Sequence, residues 1–454
     1  MKELKNLLYV IMGVVFLVVL FVVCNRYAGQ VKEENADQIQ PSIVNGQQTP
    51  ETESESRTAA EDAEAVDVEK QVQAMVSDES SSSCSIVLAG DILMQESQFE
   101  SAYDSETEEF DFTPWFANIS DILQSGDFTA ATLKTTFAGQ DNGAGTAYGG
   151  YGVYQGLSNA PETLADAMAS AGISLVNTAT NHAGDFDFAG ISSTIGYLDD
   201  AKIEHVGTAD SEDGVKTYVY DSGSVKVGFV GYTNSLNYAL TEGGDYALNY
   251  LEDYSSDKMD ELCSDVKALR KDGADIVVVM LNFGSVDSDS IEEEQQTAAE
   301  QIAEAGADII AGTGSTMVKP MEVLNVTDDD GNDHSCTVLY GMGVLLSSEV
   351  YDEDVGTDSD MTAVFKFNIA QNAGSAKVDS VAVYPVYENW TDDGTLSPVP
   401  VCKAKDDASS YSDELDEDDE ARIEEGYTSV IERLTDDTGL SYDYKDYSYV
   451  ISLQ

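Results

Sequence analysis

Histidine is nearly absent, with three among 454 residues. A two-metal centre draws several imidazole and carboxylate ligands to one point, so three histidines leave little to build one from. Basic residues are scarce too, 22 Lys and Arg against 85 Asp and Glu, for a formal charge of −63. A surface of that sign repels phosphate backbones and anionic headgroups, which excludes nucleic acid as a partner. It suits solubility in a salty, cation-rich medium. The five cysteines, Cys24, Cys84, Cys263, Cys336 and Cys402, form no CxxC pair. That spacing excludes a zinc ribbon and leaves disulfides open.

Uninterrupted apolar runs are also rare, and the longest is at the start. Leu7 to Cys24 (LLYVIMGVVFLVVLFVVC) carries no charge and approaches the ~20 residues that cross a hydrocarbon core. A cleaved signal peptide would have a shorter apolar stretch ending in small residues, and a lipoprotein anchor would need small residues before Cys24. Two valines stand there instead. Residues 1–28 are therefore expected to form a single-pass membrane anchor. Lys2 and Lys5 before the run nearly balance Arg26 and Lys32 after it, so the positive-inside rule gives little direction. Residues 29–83, rich in Glu, Asp, Ser, Thr and Gln, cannot bury enough apolar area to order themselves. They read as a disordered acidic tether, which places the remaining domain just outside a bacterial membrane.

Beyond the tether, 42% hydrophobic content and 24 tyrosines supply a core. A β-branched run, Cys84 to Ala89, ends in Gly90-Asp91. Strands are expected at 129–133, 173–179, 225–232, 276–281 and 309–311, with helices at 161–171, 189–201, 257–272 and 291–305. Alternation on this scale predicts an α/β fold with helix-covered sheets. After Pro320 paired strands at 321–326 and 337–340, then 361–370 and 376–386, predict antiparallel additions. Residues 403–421 read as an acidic, low-complexity insertion and 419–436 as a terminal amphipathic helix, so 401–454 is expected as an insertion and helix packing on the 84–400 domain. The Gly-rich stretch 139–152 lacks the spacing of a nucleotide fingerprint.

In open α/β sheets ligands gather at the carboxyl ends of strands. Asp91, Asn181-His182 and Asn282 follow three of the expected strands, and Gly312-Thr313-Gly314-Ser315 a fourth. An Asp after a strand is as readily a turn or helix cap; Asn181 and His182 together are harder to explain structurally. His205, in IEHVG, reads as a packed side chain, and His334, in DDDGNDHS, as a solvated one. Oxygen ligands from Asp91, Asn181, Asp185 and Asn282 suit one hard cation such as Mg²⁺ or Ca²⁺.

GDILM at 90–94, NTATNHAGDFDFAG at 177–190, AKIEHVGTA at 201–209, LNFGSVDS at 281–288, AGADIIAGTGSTMVKPMEV at 305–323 and LYGMGVLL at 339–346 resemble, in order and spacing, the motifs of the CapA family of bacterial capsule and poly-γ-glutamate synthesis proteins. The resemblance spans roughly 84–400. That family is similar to calcineurin-like metallophosphoesterases, which implies a four-layer α/β/β/α sandwich with divalent metals at the strand ends. Carried over by position, Asp91 and Asn181 match metal ligands and His182 the adjacent histidine that contacts a substrate anion. Asp185 also matches. The family's Asn-Leu-Glu falls on Thr132-Leu133-Lys134, its His-Trp-Gly on Asn282-Phe283-Gly284, and its Gly-His-His-Pro-His on Gly312-Thr313-Gly314-Ser315-Thr316. A glutamate and four histidines are thus replaced, leaving Thr132 and Thr313 as rim residues.

The expectation is a membrane-anchored extracellular protein serving the synthesis or export of a capsule or poly-γ-glutamate polymer. The implied partners are the membrane and a polymer synthase complex, and metallophosphoesterase activity would be small or absent. Two rivals stand beside it: an active hydrolase using one Mg²⁺, Mn²⁺ or Ca²⁺, and a non-catalytic envelope scaffold. A polyanion would meet repulsion from this domain unless cations bridge the two.

Overall fold

Side chains alternate across a strand, so the two faces of each strand assign it to its layers. In the computed structural model, which describes residues 82–453 apart from 143–147, 242–243, 255, 284–289, 330, 347–357, 373–374 and 412–413, the strand Ser82–Leu93 sends Ile86 and Leu88 to one apolar cluster and Val87 and Ala89 to another. The strand Ile276–Asn282 divides likewise, with Ile276, Val278 and Met280 joining the first cluster and Val277, Val279 and Leu281 a third. The shared cluster is the seam between two sheets. The other two lie under helices, giving the order helix, sheet, sheet, helix. The Leu7–Cys24 run and nearly all of the 29–83 tether lie outside the described residues; within them, no helix is long and apolar enough to cross a membrane.

The first sheet runs Tyr442–Lys445, Ser448–Ser452, Ser375–Tyr387, Met361–Asn372, Ser82–Leu93, Phe128–Lys134, Leu175–Asn177, Glu204–Val206. From Ser82–Leu93 onward neighbours are parallel, whereas Met361–Asn372 pairs antiparallel on the other side. The second sheet runs Met321–Thr327, Asp333–Leu339, Ile309–Thr313, Ile276–Asn282, Lys226–Thr233, Thr217–Asp221, parallel through its four central strands. Helices Thr163–Ala171 and Asp187–Ala201 cover the first sheet, and Ser256–Lys271 and Glu293–Glu304 the second. Gly172, at φ 103°, closes the first of these helices, a left-handed position that glycine takes without strain.

The C-terminal region is built into the fold. Val401–Asp406 is helical with Val401, Cys402 and Ala404 buried, and Glu417–Thr435 is a helix whose Ile423, Val430, Ile431 and Leu434 join the inter-sheet cluster. The acidic run Asp416 to Glu420 is this helix's N-terminus: Asp416 accepts from the Asp418 and Asp419 amides, and carboxylates in a first turn complement the helix dipole. Arg422 then reaches Asp360, with Nε 3.0 Å from Oδ2 and Nη2 2.7 Å from Oδ1, while Arg433 pairs with Asp358. The hairpin Tyr442–Ser452 completes the sheet edge.

Cys84, Cys263, Cys336 and Cys402 are free thiols in this structure. Burial pushes the Cys263 thiol up to about 11 and Cys402 up to about 12, and it raises Cys84 as well. The thiolate is the reactive form. Maleimide labelling of the native chain at neutral pH is therefore expected to be slow at all four and to begin at partly exposed Cys263. Fast native labelling of Cys84 or Cys402 would contradict this packing.

Candidate functional site

The parallel strands of both sheets deliver their carboxyl ends to one rim. A register shift between Leu88 and Asp91 marks a bulge in the first strand, a device that re-aims a side chain. Gly90 lies so close to the crossing chain that a Cβ there would meet the Gly343 carbonyl oxygen at 2.1 Å. Asp91 follows, 1% exposed, its amide donating to Gly343 O at 3.2 Å. Its Oδ2 accepts from Lys134 Nζ at 3.2 Å and from the Gly314 amide at 3.1 Å. Gly314 ends the Ile309–Thr313 strand, so one carboxylate ties the two sheets together.

Thr132 stands opposite Asp91 in register, and Asn282 stands between Thr233 and Thr313. The Asn234 amide donates to Asn282 O at 3.2 Å, and its side-chain Nδ2 donates to Phe283 O at 2.9 Å and to Tyr254 Oη at 3.0 Å. Three residues on, Asn237 exchanges bonds with Asn181: its amide donates to Asn181 O at 2.8 Å, and Asn181 Nδ2 donates to Asn237 Oδ1 at 3.0 Å. Asn237 Nδ2 also lies 3.4 Å from both ring nitrogens of His182. His182 Nδ1 is 2.7 Å from Asp185 Oδ2, which accepts the Ser158 amide at 2.7 Å. Ser158 Oγ meets Thr135 Oγ1 at 2.7 Å, and Thr135 adjoins Lys134. Hydrogen bonds, strand pairing and short chain segments thus bring Asp91, Lys134 and Gly314, Asn282 and Asn234, and Asn237, Asn181, His182, Asp185 and Ser158 along one rim.

Along this rim six oxygens are buried without a hydrogen-bond partner: Asp91 Oδ1, Thr132 Oγ1, Asn181 Oδ1, Asp185 Oδ1, Asn234 Oδ1 and Thr313 Oγ1. Buried polar atoms are normally paired. Their concentration here marks the rim as a place for a ligand.

The sequence-expected residues Asp91, Thr132, Asn181, His182, Asp185, Asn282 and Thr313 all take part in this rim. Sequence reasoning passed over Asn234, although it follows the Lys226–Thr233 strand as Asp91 follows the first. Asn237 sits in a loop and carried no signal. His205 lies half-buried on Glu204–Val206, its pKa lowered by burial. His334 corrects the solvated expectation: it is on the Asp333–Leu339 strand, partly buried, with Nε2 2.7 Å from Ala307 O.

These donors do not fit a two-metal centre. No imidazole stands at Asn282 or Thr313, an ammonium contacts Asp91, and among the described residues no three His, Cys, Asp or Glu side chains group to hold a metal.

Known proteins bear on this geometry. The family described as "Bacterial capsule synthesis protein PGA_cap" matches residues 85–349. The chain is 25% identical over 294 residues to a Bacillus anthracis protein named "Capsule biosynthesis protein CapA", covering 61% of this chain and 64% of that one. It is 28% identical over 155 residues to the "PGA biosynthesis protein CapA" of Bacillus subtilis (strain 168), 34% of this chain and 39% of that one. The chain thus spans less than two thirds of either relative. Among solved structures, a calcineurin-like phosphoesterase, YfkN from Bacillus subtilis, overlaps 67% of this chain and 90% of its own at 16% identity and TM-score 0.40. With more than half of its residues matched, the chain belongs to the PGA_cap family of bacterial capsule synthesis proteins.

Proposed function

We propose that the chain acts on the outer face of a bacterial membrane, held by the Leu7–Cys24 helix and the 29–83 tether, in the synthesis or export of a capsule or poly-γ-glutamate-type polymer. The rim serves as a ligand pocket with little or no metallophosphoesterase turnover. Family membership supports the pathway. The observation that carries the pocket is the concentration of six unpaired buried oxygens along the rim that holds Asp91, Asn181 and His182. A synthase complex in the same membrane is the partner this reading requires.

In the native host, deletion of the gene is expected to remove most cell-associated polymer. Full-length wild type restores it; His182→Ala and Asn181→Ala, expressed to the same level, do not. Protease applied to intact cells removes the domain. Unchanged polymer in the deletion strain, or a domain protected from the protease, rejects the proposal, and full restoration by both rim variants leaves a scaffold. The other reading, a hydrolase with one hard cation, draws on the same unpaired oxygens. Lys134 stands against it.

A further inference from the structure

Lys134 ends a strand whose seven residues, Phe128–Lys134, are all buried. Its side chain is 7% exposed and that of Asp91 1%, and Nζ lies 3.2 Å from Oδ2. Lysine is almost never buried to this degree unless paired. Two opposite charges have therefore been taken out of water together, at the carboxylate which the family resemblance makes a first metal ligand. The resemblance puts a glutamate where this lysine stands.

We infer that Lys134 is the resident counter-cation of the rim: its ammonium supplies the positive charge at Asp91 that a divalent metal would otherwise bring, and the pocket works without metal. A dication ligated by Asp91 would face the ammonium across one carboxylate, a repulsion that counts its charge twice. Oδ2 is already committed to Lys134 Nζ and the Gly314 amide. Asn181 and Asn234 direct their amide nitrogens to Asn237 Oδ1 and Phe283 O, so their free oxygens, like Asp91 Oδ1 and Asp185 Oδ1, can only accept. Such a set takes a ligand's hydroxyl or N–H donors as readily as a hard cation, and the ammonium at Asp91 decides against the cation. This deepens the pocket reading above but does not depend on the polymer.

The test uses the full-length chain in detergent, with Mn²⁺ and Mg²⁺ as probes, read by calorimetric titration and thermal unfolding. Wild type is expected to take up neither ion and to keep its Tm with either ion or with a chelator. Lys134→Met and Asp91→Asn each lower the Tm, and the double variant recovers most of the loss, because both charges leave together. Lys134→Glu gains saturable Mn²⁺ uptake and a Mn²⁺-dependent rise in Tm. Stoichiometric uptake of either ion by wild type with a raised Tm overturns the inference, as does a double variant whose loss equals the sum of the singles. Should Lys134→Glu not fold, wild-type titration and the double-variant comparison decide. A metal-binding wild type beside a polymer-negative deletion strain would sink this inference alone; the converse would sink only the pathway.

Discussion

Arg422→Ala is expected to lower stability by about 3–5 kcal/mol, the usual cost of stripping one partner from a buried ion pair. Asp360 is 3% exposed and takes both Nε and Nη2 of Arg422, while Arg433 pairs with Asp358 beside it. Without the guanidinium, a buried carboxylate is left next to a second acid, Asp358. The loss should depend on pH in a definite sense. Burial pushes the Asp360 carboxyl above its ordinary value even with Arg422 pulling it down. A carboxyl raised in the folded state favours folding while protonated, and that advantage fades as pH rises through the folded value. Removing Arg422 raises the folded value further. The deficit of the variant is therefore full at neutral pH and shrinks on acidification, as Asp360 takes up a proton and no longer needs a partner. Urea unfolding of both proteins across the acid range measures it. A deficit that stays flat or grows toward low pH would show that Arg422 contributes through packing alone.

The second large effect is expected from Gly90→Ala. A Cβ there would lie 2.1 Å from Gly343 O and 2.9 Å from Gly343 C, and neither atom belongs to a side chain that could swing away. One strand must move. Overpacking of this kind costs about 1–3 kcal/mol and sometimes more, but the functional consequence is greater. The hydrogen bond from the Asp91 amide to Gly343 O breaks, and the carboxylate shifts from Lys134 and the Gly314 amide together. The variant should lose polymer production as fully as His182→Ala while retaining measurable folding in unfolding scans. Wild-type output would mean that the position of Asp91 tolerates a displacement of this size.

Much of the architecture was legible because its signals were strong. Ile276 to Leu281 is an unbroken apolar run, and helix 257–272 carries a clear apolar stripe; the observed elements, Ile276–Asn282 and Ser256–Lys271, lie within a residue or two. The terminal helix expected at 419–436 is observed at Glu417–Thr435, whereas the 403–421 region was harder, because the short helix Val401–Asp406 and an acidic N-terminal cap resemble low complexity when only composition is weighed. Tyr442 and Tyr444 alternate as a strand requires, yet the closing hairpin went unread beside so much charge. The strand-end rule singled out Asp91, Asn181, His182 and Asn282, which the structure places along one rim. Applied to the Lys226–Thr233 strand it would have found Asn234. Lys134 was visible as an exchange of sign, but its 3.2 Å approach to Asp91 comes only from the structure.

The strand Ser82–Leu93 lies in the middle of its sheet, between Phe128–Lys134 and Met361–Asn372. A chain emerging from its N-terminal end exposes this strand early, yet one of its hydrogen-bonding edges stays open until residues 361–372 follow. Pairing over such a separation is slow to form, and an open apolar edge invites association with other chains. Fragments that stop short of residue 361 should therefore aggregate rather than fold by halves, so the domain must be completed before its middle can close.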